Sequence, residues 1–223
     1  MFVFYDMIGE TKDKKGRYLM ECKQNEAFTH LVEYARSYRR FDESARVGES
    51  FLRELVDVAR ICSNGANRQR LRFRIVADEE GCAEVFRTLA WAAALKDWPG
   101  PSEGERPTGY VIICAERPAA GKPAQAVTEI DAGIAAHTML LAARAATPSV
   151  GGCMFKAFKP SLAEVLGIDA ERYELKLVVA FGIPVEEVRL EPLSASPDGS
   201  TDYWRDDSGV HHVPKRALED VLI

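Results

Sequence analysis

At 223 residues the chain is long enough for one large domain, or a domain with an excursion. Its 47% hydrophobic and 28% charged content is that of a globular protein, and a net charge of −5 argues against general nucleic-acid affinity, which needs a basic face. No apolar run reaches the length of a membrane span, and Met1–Met7 lacks the basic start and long apolar core of a signal peptide. The five cysteines, Cys22, Cys62, Cys82, Cys114 and Cys153, show no CxxC or Cys/His spacing, so neither a disulfide framework nor a zinc site is expected. A reducing cytoplasm is the expected location.

Residues 1–24 carry little pattern; Thr11–Arg17 is charged and reads as solvated. From Asn25 to Arg36, Phe28, Leu31, Val32 and Ala35 recur at helical spacing and predict a first helix. Ser50 is the expected cap of a second, whose Phe51, Leu52, Leu55, Val56, Val58 and Ala59 form a broad apolar stripe. Asn64-Gly65 ends it with turn chemistry. Leu71–Val76 alternates as a strand, and a helix is expected from about Glu79 to Leu95. After a stretch rich in Trp, Pro and Gly (Lys96–Gly109), Tyr110–Ala115 is apolar throughout, as in a strand covered on both faces.

Glu129–Ala146 is the longest apolar helix, with alanines that allow close packing; its composition suits a central helix buried by a partner subunit. Pro148–Phe155 carries a glycine pair and turns the chain back toward the sheet. Ser161–Leu166 reads as a short helix closed by Gly167, and Leu175–Phe181 as another buried strand. The tail from Leu190 opens as a Pro/Ser/Asp loop and finishes in a short helix after Pro214. Helices and strands alternate without the regular spacing of a doubly wound sheet, so an α+β sandwich is expected.

Two polar motifs flank the second helix: Arg36-Ser37-Tyr38-Arg39-Arg40-Phe41 and Ser63-Asn64-Gly65-Ala66-Asn67-Arg68-Gln69. Guanidinium groups beside a hydroxyl suit a phosphate, because they give fixed, bidentate donors. A Gly-Ala-Asn-x-Gln turn suits a flat heterocycle: small residues admit close approach, and each amide offers a donor and an acceptor. Read singly, the first is better taken as a basic helix end and the second as a common polar turn before a strand.

In this order the motifs resemble those of the FMN-dependent nitroreductase family (oxygen-insensitive NAD(P)H nitroreductase-like). That family carries Arg-Ser-x-Arg-x-Phe after the first helix and a Pro-Ser-Ala-Gly-Asn-x-Gln-Pro-Trp type motif before the first central strand. Here Ser63 and Asn64 replace the proline and serine, Arg70-Leu71 replaces Pro-Trp, and Asn67 and Gln69 are kept. The resemblance implies a nitroreductase-like FMN-binding domain over 25–223, with 1–24 as an extension of unclear role. It also implies a central mixed or antiparallel sheet sandwiched by helices, in an intertwined homodimer.

By the same resemblance Arg36, Ser37 and Arg39 touch the FMN phosphate, Arg40 is peripheral, and Asn67, with Gln69, lies near the ribityl or pyrimidine side. Ser149-Val150-Gly151-Gly152-Cys153-Met154 resembles the family's Gly-Leu-Gly-Gly-Cys-Met loop, which brings backbone N–H groups of Ser149, Gly151 and Gly152 to the isoalloxazine ring. The alternative there is an ordinary helix-to-strand turn. His211-His212-Val213-Pro214-Lys215-Arg216 resembles the segment whose basic residues, here Lys215 and Arg216, return to the phosphate; a solvated basic cap is the alternative. Trp91 reads as core and loop-borne Trp98 as a substrate neighbour. Cys153 reads as packing, and His211 and His212, even with Asp206 and Asp207 nearby, lack the spacing of a metal site.

The implied activity is an enzyme's: hydride passes from NAD(P)H through flavin N5 to a small acceptor such as a nitroaromatic or quinone, with ping-pong kinetics. No side chain is assigned a catalytic role, since the flavin carries the chemistry. Two alternatives stay open. One is a flavin-binding sensor or sequestering protein with little turnover; the other is a specialised flavin reaction, reductive dehalogenation or flavin fragmentation.

Overall fold

A computed structural model of the chain describes residues 8–12, 18–22, 26–92, 94–95, 98–118 and 127–223. Residues up to Tyr34 form one compact unit and Ala35–Ile223 a second. In the first, β1 (Ile8–Lys12) and β2 (Tyr18–Cys22) make an antiparallel hairpin, followed by α1 (Glu26–Tyr34). The stretch read as solvated therefore begins inside a strand, with Thr11 and Lys12 paired to Leu19 and Tyr18; residues 13–17 lie outside the described residues. α1 ends at Tyr34, which leaves Arg36 on extended chain.

The second unit runs α2 (Glu49–Arg60), β3 (Leu71–Val76), α3 (Glu79–Thr88), β4 (Gly109–Glu116), α4 (Val127–Ala146), β5 (Gly151–Phe155), α5 (Leu162–Val165) and β6 (Tyr173–Gly182). A tail follows: β7 (Val188–Pro192), β8 (Trp204–Arg205) and β9 (His211–Lys215). The central sheet has the order β3-β4-β6-β5, and every pairing in it is antiparallel.

Strand side chains alternate between faces, and β4 shows why its sequence is apolar throughout. Val111 and Ile113, with Val179 and Phe181 of β6, meet Leu52, Leu55 and Ala59 of α2 and the alanines of α4. Tyr110, Ile112 and Cys114, with Val178 and Ala180, meet Cys82 and Val85 of α3 and Leu162 of α5. Helices thus cover both faces, the expected α+β sandwich. Burial pushes the Cys82 and Cys114 thiols up to about 11, so both act as small apolar fillers.

α4 meets α2 and the sheet through Ala132, Ala135, Ala136, Met139 and Ala143, while Ile130 on its other side is 62% exposed. Ile134 is also exposed there, as are Val58 of α2 and Ile61 just past its end, the latter 71% exposed. No described helix is long and apolar enough to cross a membrane.

Four expectations are corrected. Gly48, not Ser50, stands at the α2 N-cap, and no side chain caps it. α3 stops at Thr88 rather than Leu95: the Thr88 hydroxyl donates to Val85 O at 2.7 Å, and Leu89 turns extended to bridge Phe158. Pro148–Phe155 is only in part a turn, since Gly151–Phe155 is a sheet strand. The tail forms a small sheet, β7-β9-β8, in which β7 and β9 run parallel; only a three-residue 3-10 turn, Leu218–Asp220, follows it. β8 pairs only with His211 and His212, so Pro214 lacks a neighbour there that would need its missing N–H.

Gly152 supplies a direct test of the β5 packing. A Cβ there would sit 2.5 Å from the Ala180 carbonyl oxygen and 2.7 Å from Leu140 Cδ2. Backbone cannot yield as a flexible side chain can, so Gly152→Ala is expected to cost at least about 2 kcal/mol in urea unfolding. A loss below about 0.5 kcal/mol would mean that β5 is not seated as described.

Candidate active site

After α1 the chain runs beside the free edge of β5. Ser37 makes a parallel bridge with Gly152, and the Tyr38 N–H donates to Gly152 O at 3.0 Å. Extended chain alternates its side chains: Tyr38 is buried, its neighbour Ser37 is exposed, and Arg36 is half-buried. A Cβ on Gly151 would lie 2.5 Å from Tyr38 Cδ2 and 2.7 Å from Pro184 Cγ. Both glycines are therefore demanded by the chain's own packing. Ser149 is exposed just before them, its N–H 3.3 Å from Thr147 Oγ1. Burial holds the Cys153 thiol above its usual range, against the opposing pull of Arg39 and Ser37.

Arg39 is only 9% exposed. Its Nη1 donates to Ser37 O at 3.2 Å and to His211 Nε2 at 3.0 Å, and its guanidinium stacks 4.5 Å over the Tyr203 ring. Among the described residues no carboxylate pairs with that guanidinium. Glu186, whose side chain is 0% exposed, accepts instead from the backbone N–H groups of Arg39 and Arg40 and from Arg205 Nη2, the last at 2.7 Å. Arg40 differs: both its Nε and Nη2 go to the Glu105 carboxylate. That pairing raises Arg40 and lowers Glu105 from their ordinary values.

The second motif is a strained turn. Ala66, Asn67 and Gln69 have φ of 50°, 51° and 47°, a region that costs non-glycine residues about 1–3 kcal/mol each and that clusters at functional sites. Three bonds hold it: the Gly65 N–H to buried Asp131 (2.9 Å), the Gln69 N–H to Asn64 Oδ1 (3.1 Å), and Arg72 Nη1 to Gln69 O (2.8 Å). Asn67 and Gln69 are exposed, and Gln69 Nε2 donates to Asn67 Oδ1 at 3.2 Å. Asn64, Gln69, Arg70, Arg72 and Asp131 line a cavity of about 300 Å³ beside them.

Sheet register separates the two motifs. Leu71, just after the turn, pairs with Ala115, which faces Glu174; Gly152, beside Ser37, pairs with Phe181. Glu174 and Phe181 are seven residues apart along β6, or about 23 Å at ~3.3 Å per residue. Within one chain the structure therefore joins Ser37, Arg39, Gly151 and Gly152, and leaves Asn67 and Gln69 at the opposite end of the sheet.

Lys215 and Arg216 are exposed at the end of β9, four residues past His211 and about 13 Å along the strand. His211, not this pair, touches Arg39. Trp98 stands edge-on to Trp91 at 6.3 Å, with the Arg205 guanidinium 4.2 Å over its ring. Trp91, assigned to the core, is half-buried against Phe155 and Phe86.

His212 packs flat on Trp204, and both its ring nitrogens face carboxylates, Glu191 at 2.9 Å and Asp206 at 3.2 Å. Burial works against its charged form, yet the two carboxylates hold its pKa above the ordinary value. A raised folded pKa stabilises fully below the unfolded value and is lost as pH rises through the folded one. The stability difference between the native chain and His212→Gln should thus be larger near pH ~5.5 than near pH ~9, where the contribution of the imidazolium charge is gone. Urea unfolding at the two pH values checks this, and a difference that grows with pH would refute it.

The model of the nitroreductase family matches residues 32–183, from the end of α1 to just past β6. The chain belongs to the nitroreductase family. No curated protein matches it. Among solved structures, a nitroreductase of Desulfovibrio desulfuricans in complex with FMN is 19% identical, covering 90% of this chain and 97% of that one at a TM-score of 0.62. An Exiguobacterium sibiricum nitroreductase, also in complex with FMN, is 19% identical over 74% of this chain and 91% of that one, TM-score 0.56. CLA-ER, an enone reductase catalysing a key step of a gut-bacterial fatty acid saturation metabolism, is 17% identical over 73% and 91%, TM-score 0.58. At such identities the likeness is one of fold. The family match ends at residue 183, so Glu186, Tyr203, Arg205 and His211 around Arg39 lie beyond it. The sequence assigned these side chains no role at the clamp: His211 and His212 stood out as the start of the segment whose Lys215 and Arg216 were the expected phosphate contacts, and as a poor metal alternative.

Proposed function

We propose that this nitroreductase-family chain is an FMN-dependent oxidoreductase that takes hydride from NAD(P)H and delivers it to a small acceptor such as a nitroaromatic or quinone. The observation that carries this is the buried Arg39 guanidinium, which has no carboxylate partner among the described residues. Arginine is almost never so buried unless paired, and a phosphate is the partner that fits a planar donor fork. Arg36 and exposed Ser37 stand beside it on the same extended segment.

FMN would supply the hydride-carrying N5 centre. The chain's part is to bind and orient it: Arg36, Ser37 and Arg39 hold the phosphate, and the Ser149–Gly152 backbone faces the ring. Lys215 and Arg216 are too far along β9 to be given the same weight as Arg39. Asn67 and Gln69 serve the flavin of a second copy, because their own clamp is a sheet-length away. A homodimer makes each site whole, and the exposed apolar residues of α4 and α2 are the surface that would be covered.

The central sheet is wholly antiparallel and offers no βαβ unit for a dinucleotide. NAD(P)H and acceptor would therefore use one space over the flavin in turn, with Trp98 near its rim. The purified protein should be yellow, with about one FMN per chain, as released-ligand mass spectrometry would read. Double-reciprocal plots with NAD(P)H against nitroaromatic or quinone should be parallel. A colourless protein that takes up no added FMN sinks the cofactor reading, and converging lines sink the shared space.

A further inference from the structure

The tail sheet touches the clamp through one contact whose chemistry is unusual. Arg39 Nη1 can only donate, since a guanidinium has no acceptor and keeps its protons. The 3.0 Å contact to His211 Nε2 therefore makes that nitrogen the acceptor and puts the ring's proton on Nδ1. His211 is fully buried, its Nδ1 has no partner among the described residues, and its ring lies 5.0 Å from Tyr203, which also underlies Arg39. Burial first, then the charges of Arg39 and Arg205, push its pKa down to about 3, consistent with a ring that stays neutral.

A carboxylate in this place would orient Arg39 as well and would cancel its charge. A neutral acceptor orients without cancelling. We propose that His211 is a positioning residue that fixes the Arg39 guanidinium while leaving its positive charge available, and so makes the tail sheet the element that selects a phosphorylated flavin over an unphosphorylated one. This rests on the FMN reading for the identity of the ligand. Tyr203 completes the seat by stacking, and Glu186 is kept from the guanidinium by its bonds to two backbone N–H groups and to Arg205.

The test compares native protein with His211→Gln, His211→Leu and His211→Glu, each checked for folding by circular dichroism. Apo-proteins are titrated with FMN and with riboflavin, following flavin fluorescence. His211→Gln keeps a neutral acceptor and should stay within about threefold of native for FMN. His211→Leu loses the acceptor and His211→Glu cancels the charge; both should bind FMN at least about tenfold more weakly, with riboflavin changed less than about twofold. Equal losses for both flavins would mean a merely structural role and would overturn the proposal, as would an unaffected His211→Glu. Should the native protein bind neither flavin, the FMN reading falls, and inorganic phosphate decides the inference by itself. Phosphorus NMR should then show phosphate bound by native and His211→Gln but not by His211→Glu; binding indifferent to all three substitutions, or absent from the native protein, would overturn it.

Discussion

Arg39→Ala should weaken FMN binding by about 10- to 150-fold, the equivalent of ~1.5–3 kcal/mol for a charged contact to phosphate. Arg40→Ala should change it less than about threefold. The resemblance already sets Arg40 aside as peripheral, and the structure supplies a physical reason for the difference. Arg40 is half-buried and both its Nε and Nη2 are bonded to Glu105, whereas buried Arg39 is bonded to a carbonyl and a neutral imidazole. Titration of FMN into the two apo-variants decides it, and equal affinities would show the clamp to be set in the wrong register.

The second large effect concerns which chain completes which site. A heterodimer is made with Arg39→Ala in one protomer and Asn67→Ala with Gln69→Ala in the other. If each flavin takes its clamp from one chain and its polar turn from the partner, both defects fall on the same site and the other is intact. If clamp and turn served one flavin within a chain, each site would carry one defect and neither would be whole. The separation of about 23 Å along β6 favours the first case. Purified by two different tags, the heterodimer should hold half the native FMN complement. A complement no greater than that of the variant homodimers would exclude the shared arrangement, and a stable flavin-loaded monomer in sedimentation would exclude the dimer.

Much of the sandwich was legible because its signals are local and strong. The unbroken apolar run of β4 states that both faces are covered, and α4 is long and rich in alanine. The end of α3 was not legible, since what stops it is the pairing of Leu89 with Phe158, a partner far along the chain. The tail sheet was hidden for a similar reason: β8 is two residues long, prolines sit in β7 and β9, and the pairing of β7 with β9 spans more than twenty residues. Arg36, Ser37 and Arg39 stood out as a local cluster of donors. Glu186, Tyr203 and Arg205 did not, because each means something only against Arg39, about 150 residues or more upstream. Gly151 and Gly152 were visible as a pair, but their packing reason, the Tyr38 ring, Pro184 and the Ala180 carbonyl, was not.

The contact between Arg39 and His211 joins residues 172 positions apart. At a synthesis rate of about 5–20 residues per second, a ribosome makes Arg39 roughly 10–30 s before it makes His211. The central sheet, complete by Gly182, can form while the seat of that arginine is still unfinished. A released chain ending before Tyr203 would thus carry every strand of the central sheet, but neither the ring nor the imidazole that seats the guanidinium. On the proposed clamp, capture of the phosphate would then follow completion of the tail, as a closing event of biogenesis rather than a nucleus around which the chain folds.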